Sequence, residues 1–286
     1  MTTGTDAQPL GLELDGLAVR LKWHQLRRRA ADPPYSRRNL AIGLAAGACL
    51  EVDIRRLACG RFVCLHDPNL ESETTGRGPV ADVDAEAIRK FEMRGGGAPL
   101  LLDELAGLTR AAGNHPSPRV QLDLMAAGKR EIDGDVANAF AAALAGLGPR
   151  FILSGENWEA VSRLGTGVEG LALGYDPTGD AGVDADAERV ERLVRAVAPD
   201  AHTLYLHRDC VRASQTRGEG LVRRLKARGH RIDCWTIDLG EGDAVRDLRA
   251  AITAGCDAIT ANTAIGWAAW SPGGEDGGSA GVPRSA

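Results

Sequence analysis

The chain has 286 residues, 44% apolar and 26% charged, an ordinary globular composition that excludes collagen, coiled coil and wholesale disorder. A formal charge of −5 and an aromatic content of 4% argue against nucleic acid as a partner, since that needs basic patches and stacking platforms. The longest near-apolar run, residues 40–50, is too short to span a bilayer, so no membrane insertion is expected.

The N-terminal residues 1–6 lack the basic and apolar regions of a secretory leader. Residues 17–24 predict a first strand that closes on His24. A helical pattern at 39–47 ends on Gly47, in the manner of a C-terminal cap. The next strand, 48–54, carries Glu51 and Asp53. A connection of more than sixty residues follows, containing a short strand at 61–66 that ends on His66, a polar stretch at 71–78, a short helical pattern and the apolar run 100–105. Long connections at the carboxyl ends of strands are common sites of function.

Beyond it lies a strand at 119–125 with Gln121 and Asp123, a helical pattern at 132–147, then a strand at 150–154. Helices at 156–164, 185–198, 217–228 and 243–254 alternate with strands at 170–175, 203–207, 231–237 and 257–262. Eight strands with helical crossovers predict a (β/α)8 TIM barrel, one domain over residues 1–271 with an insertion at about 56–118. An open doubly wound sheet would carry a Gly-x-Gly-x-x-Gly turn after an early strand, and none is present. The Gly-, Ser- and Pro-rich residues 272–286 predict a disordered tail. Cys49, Cys59, Cys64, Cys210, Cys234 and Cys256 form no CxxC, so reduced thiols and a cytoplasmic location are expected.

Glu51 and Asp53 are two apart on a strand, so both project from one face near its carboxyl end, the catalytic end of a barrel. Asp123 takes the matching place on the next barrel strand. Three converging carboxylates repel one another unless a cation neutralises them, and oxygen-only ligands favour Mg²⁺ or Ca²⁺. One solvated carboxylate and one paired with an arginine would fit the same spacing. His24 and His66 suit acid–base catalysis beside such a site. His115, His202, His207 and His230 read as structural, and Trp235 fits either a cleft wall or the core.

Together these pieces resemble the glycerophosphodiester phosphodiesterases. The resemblance rests on His24, on Ala48-Cys-Leu-Glu-Val-Asp53, and on Phe62-Val-Cys-Leu-His66-Asp67-Pro-Asn-Leu70 followed by Thr74-Thr-Gly-Arg-Gly78. Leu122-Asp123-Leu124 is similar to the family's Glu-x-Lys strand, Cys234-Trp235-Thr236 to its Val-Trp-Thr strand, and 255–260 to its last strand. The departures are Gln25 for the arginine of His-Arg-Gly, Arg37-Arg38-Asn39-Leu40 for Pro-Glu-Asn-Thr, and Met125 for the lysine. More distantly, Asp123 is similar to the third acid of sphingomyelinase D-type phospholipases, whereas His66-Asp67 departs from them.

The resemblance implies a metal-dependent phosphodiesterase acting on a small-molecule phosphodiester. Mg²⁺ or Ca²⁺ is expected on Glu51, Asp53 and Asp123, with His24 and His66 exchanging protons with nucleophile and leaving group. Gln25 and Arg38 are expected near the phosphate, and Trp235 near the alcohol. Attack by the substrate's own vicinal hydroxyl would make the protein a lyase yielding a cyclic phosphate. A non-catalytic phosphate-ligand-binding barrel is the remaining alternative.

Overall fold

The computed structural model describes residues 10–113, 119–125 and 132–270. The tail at 272–286 and His115 lie outside the described residues. A short hairpin opens the fold, with β1 (Gly11–Leu14) antiparallel to β2 (Leu17–Trp23). Next come β3 (Cys49–Arg56), β4 (Phe62–Val63), β5 (Val120–Leu124), β6 (Phe151–Ser154) and β7 (Ala172–Tyr175). The last three strands are β8 (Thr203–His207), β9 (Arg231–Trp235) and β10 (Ala258–Ala261). Eight of these strands pair in parallel in the order β2-β10-β9-β8-β7-β6-β5-β3, and the β2–β3 pairing closes the ring. This is the expected TIM barrel, with all eight carboxyl ends at one mouth.

Helices cover the outside, each placed by an apolar stripe. In Ala187–Val197 the stripe is Ala187, Val190 and Val194, and Asp186 caps the amino end by accepting from the Arg189 N–H at 2.7 Å. The buried Glu191 on the same face is met by Arg224 and Arg228 of neighbouring segments. Gly43, in the helix Arg37–Ala46, brings that helix hard against β2 and β3: a Cβ there would lie 2.6 Å from Leu50 Cδ2 and 3.0 Å from the Trp23 ring. Among the described residues no helix is long and apolar enough to cross a membrane.

Several boundaries differ from the sequence reading, each for a local reason. The predicted strand at 17–24 stops at Trp23, because His24 opens a 3-10 turn. The strand expected at 61–66 pairs only over Phe62–Val63, antiparallel to the end of β3, which leaves His66 in the following loop. The helix expected at 217–228 begins only at Leu221, as Leu221–Lys226, because Gly218 and Gly220 both adopt left-handed φ, and a further helix, Arg208–Arg217, precedes it where the sequence reading placed none.

Inside the barrel the filling beneath the mouth is polar. Lys22 Nζ lies 2.6 Å from Asp233 Oδ2, donates to Gln121 Oε1 at 2.6 Å, and sits 4.6 Å above the Tyr205 ring. Thr260 donates to Asp233 at 2.7 Å. A buried ammonium is tolerated here because a carboxylate, an amide oxygen and an aromatic face surround it.

Candidate active site

The barrel mouth opens into a cleft of about 580 Å³, lined in part by His24, Glu51, Asp53, His66, Asp123 and Trp235. His24 follows the fully buried Trp23 and begins the 3-10 turn His24–Leu26. Its Nδ1 is 2.9 Å from Asn262 Oδ1. Asn262 Nδ2 in turn donates to Asp238 Oδ2 at 2.7 Å, so its oxygen is the atom turned to the ring. In neutral His24 the proton therefore resides on Nδ1, and Nε2 carries the lone pair on the side of Glu51, 3.9 Å away. Asp238 also accepts from the backbone N–H groups of Asn262 and Thr263, at 2.5 and 3.1 Å.

Glu51 and Asp53 lie side by side at the carboxyl end of β3. The Gln25 backbone N–H donates to Glu51 Oε2 at 2.7 Å. Gln25 Nε2 and Tyr35 Oη both donate to Asp53 Oδ2, at 3.0 and 2.6 Å. Burial, then the charges of Asp53 and Asp123, pushes the Glu51 carboxyl well above the usual carboxylate range. Burial, with neighbouring Asp53, likewise raises the Tyr35 hydroxyl well above its ordinary value, so it remains a donor at neutral pH. Asp123 accepts from Ser154 Oγ at 2.7 Å, and burial followed by the Asp53 charge raises it to about 6.

Ligand atoms of His24, Glu51 and Asp53 all lie within 4.8 Å of one another, a spacing that suits a shared cation. Asp123 lines the same cleft outside that trio. His66 reaches the rim from the loop after β4, its side chain half exposed. The backbone N–H groups of His66 and Asp67 both donate to Glu73 Oε2 at 2.8 Å, and Asp67 Oδ1 stands 3.2 Å from His66 Nδ1. Trp235 packs its ring edge-to-face on His207 at 4.9 Å.

The model of the glycerophosphoryl diester phosphodiesterase family matches residues 40–264, most of this barrel and both Glu51-Val-Asp53 and His66-Asp67. The chain belongs to this family. It is accordingly a phosphoric diester hydrolase. A glycerophosphodiester phosphodiesterase of Parabacteroides distasonis is similar in fold, with a TM-score of 0.66 and 16% identity over 86% of this chain and 94% of that one. An Oleispira antarctica phosphodiesterase, solved with the product sn-glycerol-3-phosphate, gives 0.63 and 18% over 86% and 94%. A glycerophosphodiester phosphodiesterase of Agrobacterium tumefaciens gives 0.60 and 19% over 88% and 98%. These likenesses are of fold. No curated protein sequence matches the chain significantly.

The positions that depart from the family pattern are used in different ways. Gln25, expected against substrate, is buried and turned onto the two carboxylates, and is not among the residues lining the cleft. Arg38 is exposed in the first turn of its helix and also lies outside that lining. Its neighbour Arg37 makes a two-pronged ion pair with Glu104, at 2.6 and 2.8 Å, and donates to the Ala98 carbonyl at 2.7 Å. Met125 does line the cleft, with Leu124 and Tyr205.

Sequence reasoning missed Glu156 and Asp176, which line the wall just beyond β6 and β7. Their places after barrel strands were the available signal. Asp238, Asn262 and Tyr35 were also missed, since they act through side chains far from them in sequence, and Glu73 was missed because its partners are the backbone N–H groups of His66 and Asp67.

Burial also raises Asp176, to about 7. An acid whose folded pKa is raised favours the fold while protonated, so its contribution is complete below about pH 4 and lost as the pH climbs through the folded value. For Asp123 and Asp176 that loss runs from about pH 4 to about 6 and about 7 respectively. Scanning calorimetry in EDTA should therefore show Asp176→Asn losing less Tm, or gaining more, than the wild type as the pH rises over this window, since the lowered carboxyls of Glu104 and Glu191 act in the opposite sense in both proteins. The same change of Tm with pH in variant and wild type would contradict the assignment.

Proposed function

We propose that this protein hydrolyses a small glycerophosphodiester-like substrate with the aid of a divalent cation, using His24 and His66 for proton transfer. The observation that carries the reading is the orientation of His24: its Nδ1 is held by Asn262, and its Nε2 is turned to the acidic pair at the barrel mouth. Glu51 and Asp53, with Asp123 beside them, fit a hard cation, because carboxylate oxygens are its preferred ligands and the Glu51 carboxyl is raised by burial and then by its acidic neighbours, a cost that a cation relieves. Bound there, Mg²⁺ or Ca²⁺ supplies Lewis-acid polarisation of a phosphoryl oxygen and neutralises charge developing on it.

The remaining chemistry falls to the chain itself. His24 and His66 divide the proton work: one accepts the proton of the attacking water, and the other protonates the departing alkoxide, so the products are a phosphomonoester and an alcohol. The alcohol rests against Leu124, Met125, Tyr205 and Trp235. Among the described residues lining the cleft there is no lysine or arginine, and Arg55 donates to the His66 carbonyl at 2.7 Å. Six unpaired cysteines support a reducing, cytoplasmic setting.

The test is turnover of bis(p-nitrophenyl) phosphate and of a glycerophosphodiester panel, with products followed by phosphorus NMR. Hydrolysis should vanish in EDTA and return with Mg²⁺ or Ca²⁺. A cyclic phosphate as end product would replace hydrolysis by the lyase reaction. Absence of any turnover by metal-loaded protein would leave a binding barrel.

A further inference from the structure

The loop between β2 and the helix Arg37–Ala46 carries an unusual conformational load. Gln25, Leu26 and Tyr35 all have left-handed φ, at 52°, 62° and 54°, without being glycine. Asp15 is the one other such residue among the described residues. Strain of this kind persists where surrounding contacts over-determine the backbone, and it concentrates at functional sites. Here those contacts are visible. Asp32 Oδ2 accepts from the backbone N–H groups of Arg28 and Arg29 and from Asn39 Nδ2, at 3.0, 3.1 and 3.1 Å, which ties the loop to itself and to the next helix. Pro33 and Pro34 stiffen the approach to Tyr35, and the Tyr35 backbone N–H donates to the Gln25 carbonyl at 2.8 Å.

The consequence lies at the carboxylates. Three donors from this one loop end on Glu51 Oε2 and Asp53 Oδ2. Among the described residues the hydrogen bonds to these two carboxylates end on Glu51 Oε2 and Asp53 Oδ2, and both side chains line the cleft. We infer that Gln25 and Tyr35 are positioning residues, forming with their strained loop a clamp that holds one oxygen of each carboxylate and presents the other to a divalent cation. This rests on the cation-assisted reading above. The donors are neutral, so they orient both carboxylates without cancelling the charge that attracts the cation. A cationic side chain in place of Gln25 would do both. Groups that orient ligands in this way typically alter metal affinity 10–100-fold when removed.

Tyr35→Phe deletes one hydroxyl and keeps the ring that fills the buried site. Calorimetric titration of the purified protein with Mg²⁺ and with Mn²⁺, metal alone, should show Kd raised about 10–100-fold in this variant. Activity should fall at limiting metal and recover at saturating metal, a pattern that mere loss of packing does not produce. Gln25→Ala, which keeps the backbone donor to Glu51, should shift Kd in the same direction and serves if Tyr35→Phe does not fold. Equal Kd values for wild type and variants would overturn the clamp alone. Failure of the wild type to bind either ion would overturn the clamp together with the cation-assisted mechanism.

Discussion

Glu51→Gln should lower kcat/KM for phosphodiester cleavage by roughly 10³-fold while leaving the barrel folded. The variant keeps an oxygen for the Gln25 N–H, so the local hydrogen bond survives, but it removes one of the two charges in the tightest acidic pair. Because burial and the neighbouring acids disfavour ionised Glu51, its neutral replacement should leave the metal-free Tm unchanged or higher. Loss of activity with retained or increased stability is the signature of a functional rather than a structural acid. Steady-state kinetics with and without Mg²⁺, paired with thermal melts in EDTA, separates the two. A variant that is fully active, or inactive only because it is unfolded, would remove Glu51 from the site. Asp53→Asn should behave similarly in activity, although Tyr35 and Gln25 must then share an amide instead of a carboxylate.

The second large effect is expected at the histidines. His24→Ala should cost at least ~10²-fold in kcat, and so should His66→Ala, with the wild type showing a bell-shaped rate profile whose limbs each variant removes in part. Asp238→Asn is the more discriminating change, since Asp238 does not line the cleft. It withdraws the acceptor that fixes the Asn262 amide, so Asn262 is free to turn Nδ2 toward His24. The ring proton is then driven to Nε2, which removes the lone pair that faces Glu51 in the wild type. A loss of about 10²-fold, with a displaced pH limb and KM little changed, is the expected outcome. An unaltered pH profile in Asp238→Asn would show that this network only supports the fold. Full activity of His66→Ala would assign the loop after β4 to shielding the cleft.

The departures at Gln25 and Met125 divide into two kinds. Met125 is part of the cleft wall, so a lysine there would meet substrate directly. Gln25 is committed to both carboxylates from a strained backbone, and an arginine there would first disturb the ligands. A missing family cation thus has different meanings at the two positions, and only their surroundings separate them.

The barrel was legible in the sequence because its signals are local and repeated: eight apolar runs, the crossovers between them and capping glycines recur at a spacing that few other folds share. The same locality made Glu51, Asp53, His24 and His66 visible, since a two-residue spacing on a strand, or a place at its end, already determines face and height in a barrel. Arg38 was beyond that reach, because a loop position does not specify which way a side chain turns. Gln25, Tyr35, Asp238 and Asn262 were beyond it for another reason. The Asn262 link to His24 spans 238 residues of chain, and the Tyr35 link to Asp53 exists only because three residues between β2 and the next helix accept left-handed backbone. Strand spacing determined which acids share the mouth of this barrel, whereas closure of the ring and the strained loop after β2 decided which of their oxygens accept hydrogen bonds from that loop.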